Sequence, residues 1–88
     1  MRWRASLKDR HALLRIDARL ERMAGGNFGD VKRLRDGISE LRIDYGPGYR
    51  VYFMRRGPLL IVLLAGGDKC TQVADIDLAV ALAKDWKE

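Results

Sequence analysis

A two-residue alternation of apolar and polar positions runs through residues 38–54 and predicts two β-strands. Gly46-Pro47-Gly48 separates them and predicts a three-residue turn, hence an antiparallel hairpin. We expect Tyr45 to face Tyr49 across this turn. One side of the sheet then carries the apolar set, which is Leu41, Ile43, Tyr45, Tyr49, Val51 and Phe53. The other side carries three facing pairs, which are Asp44 with Arg50, Arg42 with Tyr52, and Glu40 with Met54.

A third strand is predicted by the uncharged apolar run at residues 59–65, which follows a turn at Gly57-Pro58. A strand that does not alternate is typical of one that is covered on both faces and has a neighbour on each edge. Gly66-Gly67 predicts a sharp bend after it, which carries Lys69 to the end of the polar sheet face. The chain is therefore organised around three consecutive strands within residues 41–69.

Helical spacing of apolar residues flanks these strands on both sides. Residues 3–24 predict one amphipathic helix that ends at Gly25-Gly26, and residues 27–36 predict a loop. Thr71 is a candidate N-cap for a last helix that reaches Trp86. These elements predict a single α/β (α+β) domain over residues 1–88, with a small, mostly antiparallel sheet. We expect its N-terminal and C-terminal helices to cover the apolar face and leave the polar face open.

The excess of basic residues predicts an anionic partner. Seventeen Lys and Arg residues against twelve Asp and Glu give a formal net charge of +5, and nucleic acid is a common partner of such proteins. No apolar run is long enough to span a bilayer and no secretory signal pattern opens the sequence, so we expect a cytoplasmic protein without membrane contact. One histidine, His11, and one cysteine, Cys70, are too few for a zinc or iron site, and we expect no cofactor.

The polar sheet face carries the candidate chemistry. Arginine binds phosphate in a bidentate manner, lysine acts as a mobile point charge, and an exposed tyrosine can stack on an unpaired base. Attack of a ribose 2′-hydroxyl on the adjacent phosphate cleaves RNA without a metal, if the protein stabilises the pentacoordinate phosphate and supplies a base and an acid. Arg50 and Lys69 are the natural stabilisers. The acid and base stay open among Lys69, Tyr52, Asp44 and Glu40.

Two sets of residues follow from this hypothesis. The expected catalytic set is Arg50, Lys69, Arg42 and Tyr52. The expected RNA-binding set is Lys32, Arg33, Arg35, Arg42 and Arg55. The alternative is an exposed sheet side without function, on which charges pair across strands, as Asp44 would with Arg50.

The string GDVKRLRDGISELRIDYGPGYRVYF, followed by an apolar strand and GGDKCTQ, closely resembles the phage-derived Gp49-like, HigB-type toxins of the RelE/ParE superfamily. The resemblance covers nearly the whole chain. It implies a microbial-ribonuclease-like fold and a type II toxin-antitoxin module in which the toxin inhibits translation by cleaving mRNA, in RelE-like members on the ribosome. It also implies a helix-turn-helix, HigA-like antitoxin as partner. The arginine of the GYR motif is Arg50, the basic residue on the preceding strand is Arg42, and the one after the last strand is Lys69.

Two departures from the family pattern shape the expectations. RelE has a catalytic tyrosine early in its last helix, where this sequence has Asp75 and its neighbours but no tyrosine, and Tyr52 is the substitute. The sequence also opens in helical pattern at Arg2-Trp3, so we expect the first strand of the family to be missing, which would leave a sheet edge open to self-association. Two other functions remain open: a ParE-like poison of DNA gyrase, and a truncated, inactive relative that only binds its antitoxin.

Overall fold

The computed structural model describes residues 2–58 and 60–86, and it contains a four-stranded sheet between helices. The helices are α1 (Arg2–Ser6), α2 (Arg10–Ala24) and α3 (Gln72–Asp85), the last preceded by a short 3-10 turn (Lys69–Thr71). The strands are β1 (Val31–Arg33), β2 (Ser39–Ile43), β3 (Tyr49–Arg56) and β4 (Leu60–Asp68). They lie in the order β1-β2-β3-β4 with antiparallel neighbours throughout. The α+β class and the antiparallel sheet are confirmed.

Helices cover both faces of the sheet, so the prediction of an open polar face is wrong. Helix α2 places Ala12, Ile16 and Met23 against the predicted apolar face. Helix α3 packs on the opposite face, where its Ala79 and Val80 join a second core cluster. That cluster also contains Ile38, Tyr52, Met54, Leu64 and Ala65. The small side chains of α3 allow the helix to approach the sheet closely. Helix α3 therefore covers much of the face that was expected to be exposed.

The N-terminal helical segment is broken in two, whereas one helix was expected. Asp9 lies at the break and caps α2, because its Oδ1 accepts hydrogen bonds from the backbone N–H groups of His11 at 3.0 Å and Ala12 at 3.2 Å. Arg4 on α1 donates from Nε to Oδ1 of Asp17 on α2 at 2.8 Å. The cap begins the second helix, and the ion pair ties the first helix to it.

The β2–β3 hairpin has a longer loop than expected. Ile43 pairs with Tyr49, and the loop spans residues 44–48, in which Gly46 and Gly48 have φ values of +56° and +83°. The expected pairing of Tyr45 with Tyr49 is therefore wrong by two positions. Because the shift is even, the strand residues keep their predicted faces. The facing partners change, however, and Asp44 leaves the strand.

Two further differences concern the outer strands. Residues 31–33 were expected to lie in a loop, but they form β1, whose Val-Lys-Arg sequence is too short and polar to show a strand period. Strand β4 continues through Gly66-Gly67 to Asp68 instead of bending. The Trp3 ring and the Asp75 carboxylate occupy the space that side chains at Gly66 and Gly67 would need. These glycines therefore permit close packing within a strand.

Candidate functional site

Three cations converge at the end of the sheet where loop 44–48 joins β2 to β3. Arg42 on β2, Arg50 on β3 and Lys69 after β4 line an open pocket of about 290 Å³. The remaining lining residues are Asp30, Asp44 and Gly48. The structure thus brings together three of the four residues expected to be catalytic, in a pocket that no α3 residue lines.

Arg42 and Arg50 are direct partners in the β2–β3 register, where Asp44 had been expected opposite Arg50. Like charges that face each other across strands are destabilising. Asp30 reduces this repulsion, because its Oδ1 accepts hydrogen bonds from Arg42 Nη2 at 2.9 Å and Nε at 3.2 Å. Arg42 remains 38% exposed on its side chain and lies at the pocket surface.

Arg50 is almost fully buried, with 9% of its surface exposed. Its Nη1 donates to the backbone carbonyl of Tyr49 at 3.1 Å. Its Nε lies 3.6 Å from Oε1 of Glu40 and has no hydrogen-bond partner among the described residues. A guanidinium that is largely removed from water interacts strongly with an anion that reaches it.

Lys69 is the third cation of the pocket. It is exposed, and its side chain crosses the face of Gly48, where a Cβ atom would lie 3.1 Å from Lys69 Cε. Its backbone is fixed in a short 3-10 turn that Asp68 caps, with Oδ1 accepting from the Cys70 N–H at 2.8 Å. Within the described part of the chain, Lys69 has no ion-pair partner.

Tyr52 does not reach this pocket, which corrects its expected role. The residue is fully buried beneath α3, and its hydroxyl has no hydrogen-bond partner among residues 2–58 and 60–86. Burial, with a smaller contribution from the nearby Glu40 carboxylate, raises the pKa of Tyr52 well above the ordinary value for tyrosine. Tyr52 faces Glu40, and not Arg42, across the strands. It can neither stack on a base nor exchange a proton with a substrate in this arrangement.

The expected RNA-binding residues are divided between different surfaces. Lys32 pairs with Glu40 in the β1–β2 register, so it is exposed on the same sheet face as Arg42. Arg33 and Arg55 line a different groove, where the Arg55 guanidinium lies 4.9 Å from the centre of the Phe28 ring. Arg35 is held by Asp36 at 3.2 Å and Asp77 at 2.5 Å. Only Lys32 therefore extends the row of cations formed by Arg42, Arg50 and Lys69.

Sequence reasoning missed two residues that support the site. Asp30 was overlooked because the strand that follows it was read as a loop, although an acid just before a basic strand is a usable signal. Gln72 donates from Nε2 to Oε2 of Glu40 at 2.7 Å, a contact between residues 32 positions apart that no local pattern indicates. Glu40 itself is 1% exposed, which the alternation did not predict.

Two further features concern the described residues as a whole. Within residues 2–58 and 60–86, no group of three His, Cys, Asp or Glu side chains is arranged to hold a metal ion. No helix in the same ranges is long and apolar enough to cross a membrane.

Comparison with known proteins identifies one relative. No protein-family profile matches the sequence, and no solved structure matches it. The chain is 51% identical over 83 residues to a Haemophilus influenzae protein described as an uncharacterized protein, and the match covers 94% of this chain and 84% of the relative. The chain therefore belongs to the same family as this Haemophilus influenzae protein.

Proposed function

We propose that the chain is a HigB-type toxin of the RelE/ParE superfamily, an endoribonuclease that inhibits translation by cleaving mRNA on the ribosome. The proposal joins the resemblance of the ELRIDYGPGYRVYF and GGDK motifs to the antiparallel α+β fold. The single observation that carries it is the convergence of Arg42, Arg50 and Lys69 on one pocket.

The electrostatics of that pocket favour a phosphate group. Arg42 and Arg50 face each other across neighbouring strands, and Asp30 and Glu40 offset their repulsion only in part, because the pocket contains Lys69 as well. A phosphodiester between the two arginines offers two oxygens that they can bind. Negative charge on the non-bridging oxygens of the phosphate increases in the pentacoordinate transition state. Arg50 and Lys69 then bind the transition state more strongly than the substrate, which is the requirement for rate acceleration.

The reaction we propose uses the RNA itself as nucleophile. The 2′-oxygen attacks the adjacent phosphorus as its proton passes to a base, the bond from phosphorus to the 5′-oxygen breaks, and an acid protonates the leaving oxygen. The products are a 2′,3′-cyclic phosphate and a 5′-hydroxyl. Because Tyr52 and Glu40 are buried, Asp44 as base and Lys69 as acid are the candidates that remain at the pocket.

The proposed partners follow from the same hypothesis. The substrate is mRNA in the ribosome, whose phosphates match the net charge of +5. A cognate helix-turn-helix, HigA-like antitoxin would inhibit the toxin. The outer edge of β4, which has no strand beside it among the described residues and exposes Leu60 and Leu63, offers a site for self-association.

Induction of the chain in cells that lack the antitoxin, followed by mapping of new RNA 5′ ends, tests the proposal. We expect growth arrest and cuts confined to translated frames. Arg50→Glu combined with Lys69→Glu should abolish both. The matched control, Lys8→Glu with Arg22→Glu, makes the same charge change at an exposed position between α1 and α2 and at one on α2, and it should leave the cuts in place.

Three results would contradict the proposal. Growth arrest by the pocket variant that equals arrest by the parent chain would exclude a ribonuclease that depends on these cations. DNA breaks and a DNA-damage response with intact mRNA would instead identify a gyrase poison. Normal growth on induction of the parent chain would identify an inactive relative.

A further inference from the structure

A buried polar cluster lies directly behind the pocket. Glu40 is 1% exposed and Arg50 is 9% exposed, and charged side chains are rarely buried to this extent unless they are paired. Neither the Nε of Arg50 nor the hydroxyl of Tyr52 has a hydrogen-bond partner among the described residues. Replacement of such a buried ion pair by apolar residues is often neutral or stabilising, so its presence here is not explained by stability.

The two oxygens of the Glu40 carboxylate contact different residues. Oε2 accepts a hydrogen bond from Nε2 of Gln72, the first residue of α3, at 2.7 Å. Oε1 lies 3.6 Å from Nε of Arg50. The Arg50 guanidinium is also fixed by the bond from Nη1 to the Tyr49 carbonyl oxygen. Glu40 and Gln72 thus connect the start of α3 to the orientation of Arg50.

We propose that Glu40 is a positioning residue that orients the Arg50 guanidinium toward a phosphate in the pocket. This inference rests on the proposed function, because it assigns Arg50 as the group that binds phosphate. Glu40 does not line the pocket. Its negative charge weakens the attraction of the pocket for an anion, so a carboxylate at this position is useful for geometry and not for affinity.

Glu40→Gln should therefore reduce catalysis without reducing RNA affinity. Glutamine has nearly the same shape and can still accept the hydrogen bond from Gln72, but it carries no charge. We expect the rate of mRNA cleavage on programmed ribosomes at saturating substrate to fall at least tenfold. We expect the affinity for a 2′-O-methyl RNA oligonucleotide, which cannot be cleaved, to stay equal or increase. The control is Glu21→Gln, which makes the same change at an exposed position of α2 and should alter neither value.

A double-mutant cycle separates positioning from general structural damage. In an Arg50→Ala background, Glu40→Gln should cause no further loss of cleavage, because the group it orients is absent. A further loss of the same size in that background would overturn the proposal. A parallel fall of RNA affinity, cleavage and melting temperature in the single variant would likewise overturn it, since that pattern indicates a structural role.

The orientation of Arg50 can also be measured without any ribonuclease activity. The ¹H–¹⁵N resonance of Arg50 Nε should be protected from exchange with water in the parent chain, since this atom is buried. Glu40→Gln should shift the resonance and accelerate its exchange, and Glu21→Gln should not. If the parent chain does not cleave RNA but this effect is seen, the proposed function fails and the positioning of Arg50 stands. An unchanged resonance overturns the inference whatever the result with RNA.

Discussion

Arg42 on β2 and Arg50 on β3 are directly opposed in the sheet, with no acidic residue between them in the register. This relationship depends on the length of loop 44–48. A three-residue turn would have placed Asp44 opposite Arg50 and neutralised it across the strands. The longer loop moves Asp44 to the pocket rim, so the two arginines share one site that an anion can bridge.

Arg50→Lys tests whether the geometry of the guanidinium matters in addition to its charge. Lysine keeps the positive charge but lacks the planar pair of donors that binds two phosphate oxygens, and its ammonium group is more strongly hydrated. We expect the cleavage rate to fall by about 100-fold, the loss typical for one donor to a transition-state anion. Primer-extension assays on programmed ribosomes would measure it. Arg22→Lys, at an exposed position of α2, is the control, and equal activity of the Arg50 variant would exclude a bidentate role.

Gly48→Ala tests whether the contact with Gly48 holds the Lys69 side chain in place. The positive φ of Gly48 is unfavourable for alanine, and the new methyl group would also meet the Lys69 side chain 3.1 Å away. We expect a loss of about 1 kcal/mol of unfolding free energy from the backbone, and in addition a lower cleavage rate from displacement of Lys69. Gly26→Ala has a φ of +95° and no neighbour within 4 Å, so it should reproduce the loss of stability alone. Denaturant unfolding and cleavage assays would separate the two effects, and full activity of Gly48→Ala would show that Lys69 is not held by this contact.

Tyr52→Phe tests whether the buried Tyr52 hydroxyl takes part in catalysis. The Tyr52 hydroxyl is buried without a hydrogen bond among the described residues, so its removal should leave the melting temperature unchanged or raise it. Cleavage should be unaffected, because the ring lies beneath α3. Loss of activity with normal stability would restore Tyr52 as a proton donor or acceptor and would require α3 to move away from the sheet.

The Arg4–Asp17 ion pair gives the fold a pH dependence on the acidic side. The hydrogen bond from Arg4 lowers the pKa of Asp17 below its ordinary value. A carboxylate with a lowered pKa in the folded state stabilises the fold above its unfolded pKa of about 4, and this contribution is lost as pH falls through the folded value. Asp17→Asn should therefore lower the melting temperature at pH 7 but not at pH 2. An equal reduction at both pH values would contradict this origin.

Strand periodicity predicted most of the sheet because β2 and β3 each bury one face against a helix. Leu41, Ile43, Val51 and Phe53 lie in the core cluster that α2 covers, as the alternation indicated. The same alternation failed at Glu40 and Tyr52, since a polar residue buried in an ion-pair network has the same pattern as an exposed one. Their burial depends on α3, which is more than 30 residues away from Glu40 along the chain.

The pocket residues were predictable as a set, but their geometry was not. Side chains alternate between the two faces of a sheet, so Arg42 and Arg50 lie on the same face in the predicted register and in any register shifted by an even number of residues. Their direct opposition depends on two positive φ angles in loop 44–48, which the Gly-Pro-Gly string does not specify. Strand β1 and its Asp30 neighbour escaped notice because three residues, two of them basic, carry no periodic signal.

The close contact between Gly67 and Asp75 predicts that substitutions at these two positions are correlated among related proteins. A side chain at position 67 would occupy the space of the Asp75 carboxylate, and that carboxylate also accepts a hydrogen bond from Thr71 at 2.5 Å. A larger residue at position 67 therefore requires either a displaced Asp75 carboxylate or a smaller residue at position 75, and in both cases this bond is lost. The residues that relatives carry at positions 67 and 75 should therefore indicate how closely the start of α3 packs on β4 in each of them.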